Sequence, residues 1–208
     1  MVVSRRGRIF GLIVPALAGA LLLSSPAAAQ YSPGYQFLKA VKDGDGDAMV
    51  KLLEEHTKTL TNSQDLANGE SGLHILVRKR NATWMQFLIQ QGANVNIADK
   101  KGVTPVVLAT QLGFTEGVET LIKAHARLDI ANSTGETPLI AAVHRRDIPM
   151  MRILLKGGAD PDRADSSGRS ARDYALLDGA NSSLSAEIEK NAKPQGQREG
   201  SVRYGPSI

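Results

Sequence analysis

The sequence predicts an all-α solenoid with short β-hairpin turns, built by stacking repeated units. Glycines recur at a constant interval, at Gly69, Gly102, Gly135 and Gly168. Aliphatic pairs recur at the same interval, at 88–89, 121–122 and 154–155. A fixed period of about 33 residues is typical of units that bury their apolar faces only against neighbouring units. We therefore expect three full repeats with a capping unit at each end.

The N-terminal segment, residues 1–29, has the pattern of a cleaved signal peptide. Three arginines, at positions 5, 6 and 8, precede an apolar stretch over residues 9–23. A small-residue motif ends at Ala29, after which we expect cleavage. The stretch is shorter than the roughly 20 apolar residues that span a membrane, and a retained anchor is the alternative. The pattern predicts a periplasmic or secreted protein and leaves the general secretory and twin-arginine routes open.

The first structural unit is a capping unit before the full repeats. Its aliphatic pair lies at 52–53, whereas the constant interval counted back from 88–89 falls at 55–56, so the loop between these units is longer than the others. We expect a helix over residues 47–55 with Asp47 as its N-cap. An aspartate in that position accepts hydrogen bonds from the free N–H groups of the first turn.

An acidic cluster around this turn offers a competing interpretation. Positions 1, 3, 5 and 12 of a calcium-binding loop are matched by Asp43, Asp45, Asp47 and Glu54. The sixth position is Ala48, whereas such loops need a glycine there for their sharp turn. We prefer the helix, and a calcium-responsive module remains an alternative.

The full repeats carry helix start signals. Thr104-Pro105 and Thr137-Pro138 combine an N-cap residue with a proline at the first helical position. The first repeat has Ser71-Gly72 instead, which predicts a less firmly fixed helix.

These positions resemble the ankyrin repeat family, whose pattern D-x-x-G-x-T-P-L-H-x-A is followed by L-L-x-x-G-A-D-V-N. The resemblance covers most of residues 36–192. It implies paired helices joined by hairpin turns, with partners bound at the hairpin tips and on the inner, concave helices. His74 fills the histidine position of the family, which implies a structural hydrogen-bonding role.

The last unit has the features of a C-terminal cap. Arg172 and Asp173 replace apolar residues of the repeat pattern, because the outer face of a terminal unit is exposed to solvent. Residues 192–208 are rich in Gly, Pro, Ser, Gln and charge, which predicts a flexible tail. The predicted organisation is a signal peptide over 1–29, a repeat domain over 30–191 and this tail.

Composition argues against several classes of function. Cleavage removes three of the 25 Lys and Arg residues and none of the 21 Asp and Glu residues, so the net charge falls from +4 to +1. We therefore expect no nucleic-acid partner. The chain has no cysteine, so an exported domain depends on its core rather than on disulfides. The histidines lack metal-ligand spacing and no catalytic motif appears, so we predict neither an enzyme nor a cofactor.

Candidate partner-binding residues are those that the repeat does not use for its own packing. They lie at the hairpin tips and at the concave end of the inner helices: Arg78, Lys79, Arg80, Lys100, Lys101, Gln111, Leu112, Ser133, Thr134, His144, Arg145 and Arg146. The clusters 78–80 and 144–146 predict a basic stripe interrupted at Leu112. A solvated face with ordinary helix-end cations is the alternative.

These observations predict an exported, monomeric scaffold that binds a protein with an acidic or mixed surface in a bacterial periplasm. No stable membrane anchor is expected after cleavage. An immunity-type or inhibitor protein that blocks an exported toxin or enzyme is the alternative.

Overall fold

The computed structural model describes residues 32–56 and 58–193. The predicted signal peptide, its cleavage site and the tail from residue 194 onward lie outside the described residues. The helices, in chain order, are α1 Pro33–Asp43, α2 Gly46–Glu55, a 3-10 helix Lys58–Asn62, α3 Gly72–Arg78, α4 Ala82–Gln90, α5 Pro105–Gln111, α6 Thr115–Lys123, α7 Pro138–His144, α8 Ile148–Gly157, α9 Ala171–Leu177 and α10 Ser183–Asn191.

The helices form two layers. Helices α1, α3, α5, α7 and α9 form an inner layer in which each helix contacts the next, and α4, α6, α8 and α10 do the same in an outer layer. Within the described residues, strand pairing is confined to isolated bridges between Gln64 and Ser71 and between Ala164 and Ser170. The predicted all-α solenoid with short hairpin turns is confirmed.

The core consists of columns of equivalent positions in successive repeats. Leu121 and Leu154, in neighbouring outer helices, are fully buried. Ala109 and Ala142 are also fully buried, in inner helices that contact each other. Because each unit contributes the same buried positions, the core continues from one repeat to the next.

Helix α2 starts one residue earlier than predicted, at Gly46, and its N-cap is Asp45. Asp45 Oδ1 accepts from the backbone N–H of Ala48 at 3.0 Å. Asp47 therefore lies in the first turn, and its predicted role as N-cap is wrong. The reason is the preceding turn, which Gly44 makes with a φ of 79°, so that the chain enters the helix at Asp45.

The threonine caps are only partly as predicted. Thr137 Oγ1 accepts from the N–H of Ile140 at 3.2 Å. Thr104 Oγ1 is buried and has no hydrogen-bond partner among the described residues, so its predicted capping bond is wrong. The helix after Ser71 is as long as the two proline-started inner helices that follow, so the expected weakness is not visible in its length.

The loops between paired helices share a left-handed residue. Successive repeats place Arg80, Gly113, Arg146 and Gly179 there, with φ angles of 52°, 60°, 54° and 111°. A residue with a side chain resists this conformation by about 1–2 kcal/mol. The two arginines therefore keep a backbone shape that the neighbouring repeats fill with glycine.

Candidate functional site

The exposed side of the inner layer carries polar side chains that pair with the adjoining hairpins. Arg78 Nε donates to Glu70 Oε1 at 2.8 Å. Gln111 Nε2 donates to Glu136 Oε2 at 3.1 Å, and His144 Nδ1 lies 3.3 Å from Glu136 Oε1. We term the exposed side chains of α3, α5, α7 and α9 the inner face. Three predicted site residues therefore share this face, each held by a hairpin carboxylate.

Arg80 joins two repeats. Its guanidinium donates to the carbonyl of Leu112, in the next interhelical loop. The guanidinium carbon also lies 5.7 Å from the centroid of the Phe114 ring. An exposed cation–π contact of this kind contributes about 0.5–1 kcal/mol. The charge of Arg80 is therefore directed along the stack, and Leu112 takes part through its backbone carbonyl.

Arg145 and Arg146 are neighbours in sequence but have different surroundings. Arg146 forms an ion pair with Asp178, in the following loop. Arg145 lies over the preceding loop, where a Cβ atom on Gly113 would be 3.2 Å from its Nη2. The guanidinium of Arg145 makes no hydrogen bond or ion pair with any described residue. The predicted basic stripe therefore contains one arginine used between repeats and one available cation at this end.

Tyr174 lies at the C-terminal end of the inner face. Its hydroxyl donates to Asp165 Oδ2 at 2.7 Å, and its ring meets the His144 ring edge-on with centroids 4.5 Å apart. The hydrogen bonds from Tyr174 and from Ser167 lower the pKa of Asp165 well below its ordinary value. One helical turn beyond Tyr174, Leu177 is 71% exposed. Tyr174 and Leu177 are not among the predicted site residues, although Leu177 falls in the column of Arg78, Gln111 and His144.

The hairpin tips are tied to one another through the backbone. The N–H groups of Lys100, Ser133 and Ser166 donate to the carbonyls of Asn68, Lys101 and Thr134 at 3.0, 2.9 and 3.4 Å. Thr134 Oγ1 also donates to Asn132 Oδ1 at 2.7 Å. The predicted tip residues thus form one row, and the side chains of Lys101, Ser133 and Thr134 are exposed.

The carboxylates of the calcium alternative do not converge. Asp43 pairs with Lys39, and the pKa of Asp43 is lowered by that hydrogen bond first and further by the charge of Lys79. Asp45 caps α2, so Asp47 and Glu54 are held in the helix rather than in a loop around a cation. The calcium interpretation is therefore wrong in its geometry, because a calcium loop needs these positions outside a helix.

Metal and membrane sites can be assessed for the described ranges alone. Over residues 32–56 and 58–193, no three His, Asp or Glu side chains are grouped so that they could hold a metal ion. In the same ranges, no helix has the length and apolar character needed to cross a membrane.

Comparison with family models identifies the repeats. Residues 37–132 match the model described as ankyrin repeats (3 copies), and residues 121–175 match the one described as ankyrin repeats (many copies). The chain belongs to the ankyrin repeat family. Such repeats imply a scaffold for protein–protein interaction, and ankyrin repeat proteins are generally not enzymes. The predicted family and the predicted protein-binding class are confirmed at this level.

Several curated proteins share the repeats. The chain is 35% identical to diacylglycerol kinase iota of Mus musculus over 74 residues, which is 36% of this chain and 7% of the kinase. The Homo sapiens kinase is 34% identical over the same shares. The E3 ubiquitin-protein ligase KEG of Arabidopsis thaliana is 33% identical over 84 residues, or 40% of this chain and 5% of the ligase. The chain spans less than a tenth of each relative, so the likeness to the kinases concerns their ankyrin region.

Proposed function

We propose that this chain is an exported ankyrin repeat scaffold that binds another protein in a bacterial periplasm. Binding takes place through the inner face and the hairpin tips. The observation that carries the proposal is the continuity of the inner face, where Arg78, Gln111 and His144 stand in equivalent positions of successive repeats. Hairpin carboxylates already order these side chains, so a partner would freeze fewer rotamers on binding.

The periplasmic location is supported by the N-terminal sequence. Three arginines, an apolar stretch over residues 9–23 and the small residues ending at Ala29 form the pattern of an export signal. The chain also has no cysteine, and its described part is held by a continuous apolar core. A domain of this kind needs no disulfide after export.

Site-specific photocrosslinking in periplasm tests this function. A photoreactive amino acid is placed at Leu112, the residue directly after α5 at the end of the inner face, and, in a second variant, at Lys101 on a hairpin tip. Matched control variants carry it at Gln86 and Glu119, which are exposed on outer helices. We expect a partner band from the first two positions, because they lie on the proposed binding surface.

The controls decide where the partner binds. Bands at Gln86 and Glu119 with none at Leu112 or Lys101 would place the partner on the outer helices and refute the proposed surface. Absence of bands at all four positions, in cells where the protein is shown to be exported, would refute protein binding in the periplasm.

A further inference from the structure

Leu177 is an exposed apolar side chain where preceding repeats have polar ones. It occupies the column of Arg78, Gln111 and His144, and 71% of its surface is exposed. The adjacent Leu176 falls in the column that faces the next repeat elsewhere in the stack, so its exposure follows from its place in the last described unit. Leu177 is in the inner-face column, where Arg78 and His144 are exposed as well, so its apolar character rather than its exposure sets it apart. Isolated exposed leucines are common, so Leu177 indicates a binding site only if its neighbours also have the features of one.

Tyr174 provides a fixed aromatic surface beside Leu177. The two residues are three positions apart on α9, which places them on one side of the helix. Tyr174 is held by its hydroxyl bond to Asp165 at 2.7 Å and by the edge-on contact with His144. Rigid, partly buried aromatic residues are typical anchors of binding surfaces because they lose little entropy on contact.

Arg145 supplies an available positive charge at the loop of Gly113, about two repeats before Leu177. Arg78 is paired with Glu70, and Arg146 is paired with Asp178. Arg145 has no such partner among the described residues and lies against the loop at Gly113. A carboxylate would complement this cation without displacing an existing ion pair.

The spacing of these features defines the ligand. Neighbouring packed helices lie about 8–10 Å apart, and an extended chain advances about 3.3–3.6 Å per residue. The charge of Arg145 lies about two helix spacings from Leu177, so roughly five or six residues of extended chain separate the two groups that they bind. We propose that Leu177, Tyr174 and Arg145 dock an extended segment of the partner in which a carboxylate lies about five or six residues from a large apolar side chain. This inference rests on the proposed protein-binding function and specifies the partner's chemistry.

A defined peptide tests the docking site. The probe is a short fluorescent peptide of Gly and Ser in which one Asp precedes one Phe by five positions. Fluorescence anisotropy with the full chain measures its binding, and methyl NMR of the same protein reports on Leu177. We expect binding that shifts the Leu177 methyl signals. Replacing the Asp of the peptide by Lys, or its Phe by Ser, should weaken binding by about tenfold or more, as expected for loss of an anchor.

Protein variants separate this site from other exposed residues. Leu177→Ser and Arg145→Glu should each weaken the peptide complex by about tenfold or more. Leu66→Ser and Lys123→Glu alter an exposed leucine at a hairpin tip and an exposed cation on α6, and both should bind as the unaltered chain does. The Lys-containing peptide should regain affinity for the Arg145→Glu variant, because the charge pair is restored in reverse.

Three outcomes would overturn the inference. They are no peptide binding at millimolar concentration, equal losses in the control variants, or nuclear Overhauser contacts in the peptide-free chain between Leu177 and residues 194–208. The last would show that the chain's own tail occupies the site. Each can occur while the crosslinks at Leu112 and Lys101 still appear, so failure here is distinguishable from failure of the proposed function.

Discussion

His74 connects the first full repeat to the second, since its Nε2 donates to the carbonyl of Val103 at 2.9 Å. The other ring nitrogen, Nδ1, accepts from the backbone N–H of Ser71 at 3.1 Å. The neutral imidazole protonated on Nε2 satisfies both bonds at once. Burial lowers the pKa of His74, which agrees with a neutral ring. His74 therefore fixes the start of its own helix and the hairpin of the next repeat.

This arrangement predicts a loss of stability in mild acid. An unfolded histidine titrates near 6.5, whereas the pKa of His74 in the folded protein is lower. The unfolded state therefore takes up the proton first, and stability that is complete above pH 6.5 is lost as the pH falls through the folded pKa. Urea unfolding at a series of pH values measures the effect. His74→Gln should flatten the slope below pH 6.5.

An exposed histidine provides the control for this experiment. His56 follows α2 and is exposed, so His56→Gln should keep the slope of the unaltered chain. If both variants keep the slope, acid acts through other groups and the role given to His74 is wrong.

The buried aliphatic column predicts a large effect of truncation. Leu121 is fully buried in α6, which contacts outer helices on both sides. Leu121→Ala should therefore cost about 2–5 kcal/mol of unfolding free energy, the usual range when a buried leucine is cut back. Glu119→Ala, at an exposed position of the same helix, should change the stability by less than about 0.5 kcal/mol. Equal melting temperatures for the two variants would contradict the repeat register.

The left-handed backbone of Arg146 predicts that a glycine there makes the protein more stable than an alanine does, the reverse of the order inside a helix. At Arg146 both substitutions remove the pair with Asp178, but glycine accepts a φ of 54° and alanine does not. Arg146→Gly should therefore be more stable than Arg146→Ala by about 1 kcal/mol in urea unfolding. At Glu119, an exposed position in the middle of helix α6, alanine should exceed glycine by about 1 kcal/mol. The same order at both positions would show that the loop relaxes when the arginine is removed.

Processing at Ala29 predicts the mass of the exported protein. Intact-mass spectrometry of the soluble periplasmic fraction should detect a chain of residues 30–208, because the signal pattern ends at Ala29. An Ala29→Leu variant should accumulate unprocessed, whereas Ala28→Leu should be cleaved as before. Detection of the unaltered protein in the membrane fraction with Met1 attached would contradict both processing and release.

The structural features that recur in every repeat could be predicted from the sequence. The glycine spacing located the hairpins, and the burial of Leu121 and the hydrogen bonds of His74 agree with their columns. Side-chain contacts between residues of different columns could not be predicted in this way. The sequence predicts Arg80 and Arg146 as partner-binding residues, because only the loop geometry shows that their side chains turn toward the following repeat.

Two predicted helix caps were wrong for reasons confined to single residues. Whether Asp45 or Asp47 caps a helix depends on the residue at which the chain leaves the preceding turn, and both have a suitable side chain. The unbonded hydroxyl of Thr104 has no explanation in the backbone, because Thr137 makes its capping bond with nearly the same angles, φ −82° and ψ 163° against φ −91° and ψ 163°.

The row of bonds between hairpin tips limits how the length of this protein can change. The two middle tips, at 100–101 and 133–134, each receive a bond from the following tip and make one to the preceding tip, at positions that recur once in every repeat. Removing residues 102–134 would join Lys101 to Gly135 and leave a complete hairpin sequence with its glycine in place. A slightly shorter deletion would set each later donor opposite the wrong acceptor. Gene duplication and loss can therefore lengthen or shorten this stack only in whole units.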